Sequence, residues 1–140
     1  MSAADNKKLM QEIFAAVARG DRTLFVERLA DHATMTVTGE YSWSRTFHGK
    51  ESIRRDLYGY VHSLLVEGGR TLPFNFIADG DWVVVEARGD MRTKAGTPYC
   101  NHYCLLYRLE NGMIVEIKEY NDSTLCERIL GPYPAARVPA

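Results

Sequence analysis

Residues 71–121, TLPFNFIADGDWVVVEARGDMRTKAGTPYCNHYCLLYRLENGMIVEIKEYN, decide the fold. Strand-forming residues dominate 71–78, 82–92, 99–109 and 113–121. Between these runs stand Asp79-Gly80, Lys94-Ala95-Gly96 and Glu110-Asn111-Gly112, each a hairpin signal. The stretch therefore predicts a four-stranded antiparallel meander.

Turn geometry then assigns its faces. A two-residue turn at Asp79-Gly80 sets Phe76 against Val83 and Phe74 against Val85. A three-residue turn at Lys94-Ala95-Gly96 sets Val85 against Leu105 and Ala87 against Tyr103. With a three-residue loop at Glu110-Asn111-Gly112, Leu105 meets Ile117, Tyr103 meets Glu119 and Asn101 meets Asn121. One face thus carries Phe74, Phe76, Val83, Val85, Ala87, Leu105 and Ile117, and being apolar it turns inward. Toward one end the same face becomes polar, with Asn101, Tyr103, Glu119 and Asn121 beside the small residues Ala87 and Gly89. An apolar floor, a few convergent polar groups and a gap left by small side chains describe a ligand pocket.

Working back toward the N-terminus, Leu9, Ile13 and Val17 recur at helical spacing and predict a helix over about 5–18. A second helix is expected over about 22–30, and a short strand over 34–38. A short extended piece at Thr46–His48 precedes a third helix near 50–66, with Ile53, Leu57, Val61 and Leu64 as its buried stripe. The tail from Gly131 to Ala140 reads as irregular. The whole is an α+β chain, read as one domain over 1–140, with three N-terminal helices packed on a strongly curved antiparallel sheet around an internal pocket.

Composition narrows the function. The net charge is -1 at pH 7, so there is no cationic excess for nucleic acid. No apolar run approaches the ~20 residues of a membrane span, and no signal-peptide stretch opens the chain, so a cytoplasmic location is expected. Cys100 and Cys104, four apart on one strand, lie ~13 Å from each other and cannot bridge. The four histidines show no metal-ligand spacing; neither a metal nor a cofactor is expected.

The order of these elements, with Ala18-Arg-Gly-Asp21, Phe47-His-Gly-Lys50, Tyr99-Cys-Asn-His-Tyr103 and Asn111-Gly-Met-Ile114 running to Lys118-Glu-Tyr-Asn-Asp122, resembles the nuclear transport factor 2-like superfamily. Within it, the closest resemblance is to the SnoaL-like and ketosteroid-isomerase-like group. The resemblance implies a cone-shaped half-barrel whose pocket also takes in Val37. Positions matching the ketosteroid isomerase acids and tyrosine fall on Ile13, Val37 and Leu105, all apolar, so that mechanism is not expected. Positions matching the Arg-x-Asp pair of limonene-epoxide-hydrolase-like members fall on Ala87 and Gly89. Arg88 and Asp90 would turn inward only through a β-bulge.

Glu119 stands out and has two readings: a buried carboxylate with a raised pKa acting as acid or base, with Tyr103 opposite it and Asn101 placed to bind a substrate carbonyl, or a structural carboxylate satisfied by Tyr103 and a backbone amide. Two functions fit. One is a proton-transfer enzyme (isomerase, cyclase, dehydratase or epoxide hydrolase) acting on a small apolar oxygenated molecule. The other is a non-catalytic ligand-binding or dimerisation module. The outer sheet face, with Cys100, His102, Cys104, Leu106 and Tyr120, is lightly charged and predicts a homodimer that buries it.

Overall fold

A computed structural model describes residues 1–135. Helix α1 (Ala3–Val17) starts at a capping box in which Ser2 and Asp5 satisfy each other's backbone amides. Its apolar stripe, Leu9, Met10, Ile13 and Phe14, is buried against the sheet. Helix α2 (Thr23–Arg28) is shorter than expected, because Leu29 already opens strand β1 (Leu29–Val37). Strand β2 (Arg45–His48) pairs antiparallel with β1. Helix α3 (Lys50–Ser52) then runs through a π-helical stretch, Ile53–Gly59, into α4 (Tyr60–Leu64).

The predicted meander follows as β3 (Arg70–Asp79), β4 (Trp82–Arg92), β5 (Pro98–Tyr99), β6 (His102–Glu110) and β7 (Met113–Asn121). The main sheet runs β2-β1-β7-β6-β4-β3, with β5 paired to β4. It is mixed rather than purely antiparallel, since β1 lies parallel to β7 with Val37 beside Glu119. The curled sheet wraps the helices as a half-barrel. Helix α5 (Ser123–Leu130), capped by the Asp122 side chain, closes one end. After it, the irregular segment is anchored: Tyr133 is buried, and Trp43 Nε1 donates to the Gly131 carbonyl at 2.9 Å. The remainder of the expected irregular tail, 136–140, lies outside the described residues.

The three hairpins differ in how they reach their registers. The Lys94-Ala95-Gly96 turn sets Val85 opposite Leu105 and Ala87 opposite Tyr103, as expected. At the first hairpin the turn residues are Gly80-Asp81, so β3 slides two residues and Phe76 faces Val85 rather than Val83. A slip of two keeps each side chain on its face. Farther along, a bulge between Pro73 and Asn75 leaves Phe74 unpaired and 69% exposed, correcting its expected place in the pocket. Strand β3 is an edge strand, where a proline and a bulge interrupt the ladder at little cost.

The last hairpin contains two departures that cancel. Its turn is the two-residue Asn111-Gly112, with φ of 50° and 76°, not the three-residue loop expected. Alone, that would set Lys118 against Leu105 and bury a lysine. A β-bulge at Val115 inserts one residue and restores the parity, so Leu105 faces Glu119 and Tyr103 faces Asn121. Tyr103 is therefore not directly opposite Glu119, as expected, but one pair farther along. Strand β4 has no bulge where it pairs with β6, so Arg88 and Asp90 stay exposed on the outer face.

Candidate functional site

Between the helices and the concave sheet lies a cavity of about 450 Å³, of a size that suits a small organic ligand. Glu119 projects into it from β7. Its backbone carbonyl is held by the Thr38 amide at 3.0 Å and the Thr38 hydroxyl at 2.9 Å, which fixes β7 against the end of β1. Its carboxylate Oε2 accepts from Asn121 Nδ2 at 2.8 Å. Among the described residues nothing donates to Oε1, which is left to the cavity. Burial disfavours the anion and raises the Glu119 pKa from 4.5 to about 6, the Asn121 hydrogen bond opposing part of the rise. No arginine or lysine contributes to that balance.

Asn121 passes the connection onward: its Oδ1 accepts from the Tyr41 hydroxyl at 3.1 Å. The Cys126 thiol of α5 faces the Tyr41 and Tyr99 hydroxyls, and burial pushes its pKa up to about 11, so it stays a neutral thiol. Tyr103 leans on Tyr99 and is held protonated by burial. Two further tyrosines differ from these. Tyr58, on the π-helical stretch, and Tyr107, on β6, line the cavity, and among the described residues neither hydroxyl has a hydrogen-bond partner. Burial raises both pKa values, and the negative charge of Glu119 raises them further, so both phenols stand near the carboxylate as protonated donors.

Of the residues singled out from the sequence, Glu119, Tyr103, Asn121, Val37 and Leu105 line the cavity. Val85, Ala87 and Ile117 are buried in the core behind the lining, and Phe76 packs edge-on to Phe14 at 6.1 Å. Asn101 is a correction. Its Nδ2 donates to the Tyr99 hydroxyl at 2.9 Å and the Asp122 carbonyl at 3.2 Å. Its Oδ1 accepts from the amides of His102 at 2.7 Å and Asp122 at 3.0 Å. An amide side chain has two donors and two acceptor positions, so nothing remains for a substrate. Asn101 instead clamps the β5–β6 break to the start of α5.

Tyr58, Tyr99 and Tyr107 were not singled out. Tyr107 lies on the inner face already derived, among aliphatic neighbours that disguise it as core. Tyr58 adjoins the Leu57 stripe position, and the π-helical turn widens the lining to include Arg54, Leu57, Tyr58, Val61 and His62. Trp43, from the loop after β1, also lines the cavity and stacks on Tyr60 at 5.6 Å.

The sequence profile of the SnoaL-like domain matches residues 10–117. The chain belongs to the SnoaL-like domain family. Solved structures share its fold at low identity. A nuclear transport factor 2-like protein of unknown function from Burkholderia pseudomallei is 23% identical over 92% of this chain and 98% of that one, with a TM-score of 0.76. A putative SnoaL-like polyketide cyclase from Jannaschia is 14% identical over 94% and 95%, with a TM-score of 0.75. TerC, co-crystallized with polyporic acid, is 19% identical over 89% and 97%, with a TM-score of 0.74. No curated protein sequence matches the chain. In this SnoaL-like chain no helix among the described residues is long and apolar enough to cross a membrane.

Proposed function

We propose that this SnoaL-like protein catalyses proton transfer on a small apolar oxygenated molecule, with Glu119 as the acid–base group. The observation that carries the reading is the Glu119 carboxylate itself: one oxygen held by Asn121, the other open to a ligand-sized cavity, and a pKa of about 6. A group ionising there exists in both forms near neutrality and can take and return a proton. In the step envisaged, Oε1 removes a proton from the carbon next to a substrate carbonyl. The electron pair moves to the carbonyl oxygen, and the Tyr58 and Tyr107 hydroxyls donate to the resulting oxyanion. The proton then returns from Glu119 to the rearranged substrate. Tyr103, which is engaged with Tyr99, shapes the wall beside Asn121.

Deuterium exchange tests the chemistry without a known substrate. A panel of apolar cyclic ketones incubated in D2O should gain deuterium next to the carbonyl in the presence of the protein, as read by proton NMR. Glu119→Gln should abolish the exchange while leaving the circular dichroism spectrum intact. Exchange that persists in Glu119→Gln would mean that another group moves the proton, and exchange that is absent in the wild type across the panel favours the binding-module reading.

We propose further that two copies pair through the outer sheet face, where Leu72, Phe74, Ile77 and Tyr120 are between 41% and 69% exposed. The free thiols Cys100, Cys104 and Cys126 suit a reducing cytoplasm.

A further inference from the structure

The cavity wall carries charge at two places. One is Glu119. The other is the rim, where Arg22 from the α1–α2 turn meets His62 of α4. Arg22 is half-buried, and among the described residues it forms no ion pair or hydrogen bond. A guanidinium has five donors and no way to shed its charge, so a half-buried one without a partner is an open anion site. Both side chains line the cavity, and burial and the Arg22 charge together pull the His62 pKa down, which favours the neutral imidazole. His62 stacks on Tyr58, with centroids 6.4 Å apart and 21° between the planes.

Tyr58 fixes the polarity of the cavity. It feels both charges, Glu119 raising its pKa and Arg22 lowering it, whereas Glu119 feels no arginine at all. Among the described residues Arg22 and Glu119 form no ion pair, so the two charges occupy separate places on a lining that also holds Tyr58. The wall between is apolar, formed by Phe14, Val17, Phe25, Leu57 and Val61. Arg54 also reaches the lining, but it is exposed and also lines a second cleft with Asp31, Lys50, Glu51 and Arg55.

We infer that the cavity takes an amphiphilic organic anion, its oxyanionic head paired with Arg22 at the rim beside His62 and its apolar body reaching inward toward Glu119. The inference rests on the cavity being the substrate site proposed above, and it names the substrate class. Orientation follows from charge: an anionic head is repelled from Glu119 and drawn to Arg22, so the reactive part of the molecule is delivered to the carboxylate. A neutral ligand of the same shape gains nothing from Arg22.

A matched pair of probes tests this: anilinonaphthalene sulfonate and neutral phenylnaphthylamine, which share a skeleton and differ in the oxyanion. Affinities are read from the methyl NMR signals of Val17, Val61 and Leu105, so that only binding in the cavity counts. The sulfonate should bind about tenfold more tightly than the amine. Arg22→Gln should remove that preference and leave the amine affinity unchanged, and Arg22→Lys should restore part of it. Glu119→Gln should leave the preference in place, so lost discrimination and lost deuterium exchange report on opposite ends of the cavity. Equal affinities in the wild type, equal weakening of both probes by Arg22→Gln, or methyl signals that neither probe moves would overturn the inference.

Discussion

At the scale of single residues, the site turns on how one carboxylate is solvated. Glu119 has one hydrogen bond and no cation, which is too little to offset burial, and its pKa rises from 4.5 to about 6. The consequence for stability has a definite sign. The folded-state value is the higher one, so folding takes up a proton between those two pH values. The stabilisation is complete below pH 4.5 and is lost as pH rises through about 6, a change of about 2 kcal/mol. Glutamine has the same shape and no charge to lose. Urea unfolding of Glu119→Gln between pH 4 and 8 should therefore lack this component. Relative to the wild type, the variant should gain up to about 2 kcal/mol at the alkaline end. Parallel pH profiles for the two proteins would mean that Glu119 ionises as freely in the fold as in water.

At the scale of elements, the β4–β6 register was legible because Lys94-Ala95-Gly96 is a three-residue turn and the register carries unshifted across the break between β5 and β6. The two bulges were not. Val115 sits in a run of apolar residues where nothing local marks the extra position, and its effect on parity is hidden because the Asn111-Gly112 turn is one residue shorter than assumed. Glu119 reached its face in the sequence reading because those two errors offset each other. Phe74 did not reach its expected place, although Pro73 beside it is the usual mark of an interrupted edge strand. Helix α5 was overlooked, yet Asp122 before an amphipathic run with Leu125, Cys126 and Leu130 carries the N-cap signal. The element-scale prediction concerns the clamp between β5, β6 and α5. Asn101→Ala removes four hydrogen bonds from a fully buried side chain and takes the side-chain acceptor away from the amides of His102 and Asp122. It should cost about 3 kcal/mol in chemical denaturation. A loss below about 1 kcal/mol would show that water replaces the clamp.

At the scale of the whole molecule, the curled sheet has two uses for its two faces. The concave face builds the cavity, and the convex face exposes Leu72, Phe74, Ile77 and Tyr120. Ejection of Phe74 by the edge bulge makes that outer face more apolar than the sequence suggested, which strengthens the expectation of pairing. Light scattering should give twice the 15.9 kDa chain mass, and Phe74→Asp should shift it toward one chain with the circular dichroism unchanged. A wild-type monomer at micromolar concentration, or a dimer indifferent to Phe74→Asp, would place the pairing elsewhere or nowhere. The tyrosine-lined interior depends on one property of the fold: it keeps a carboxylate away from both bulk water and the arginine at the rim. Carbon-detected NMR of the Glu119 side-chain carboxyl, followed through a pH titration, measures that property without a substrate. A midpoint near 6 is expected. A midpoint at or below 4.5 would make Glu119 an ordinary structural carboxylate and leave the proposed proton transfer without its acid–base group.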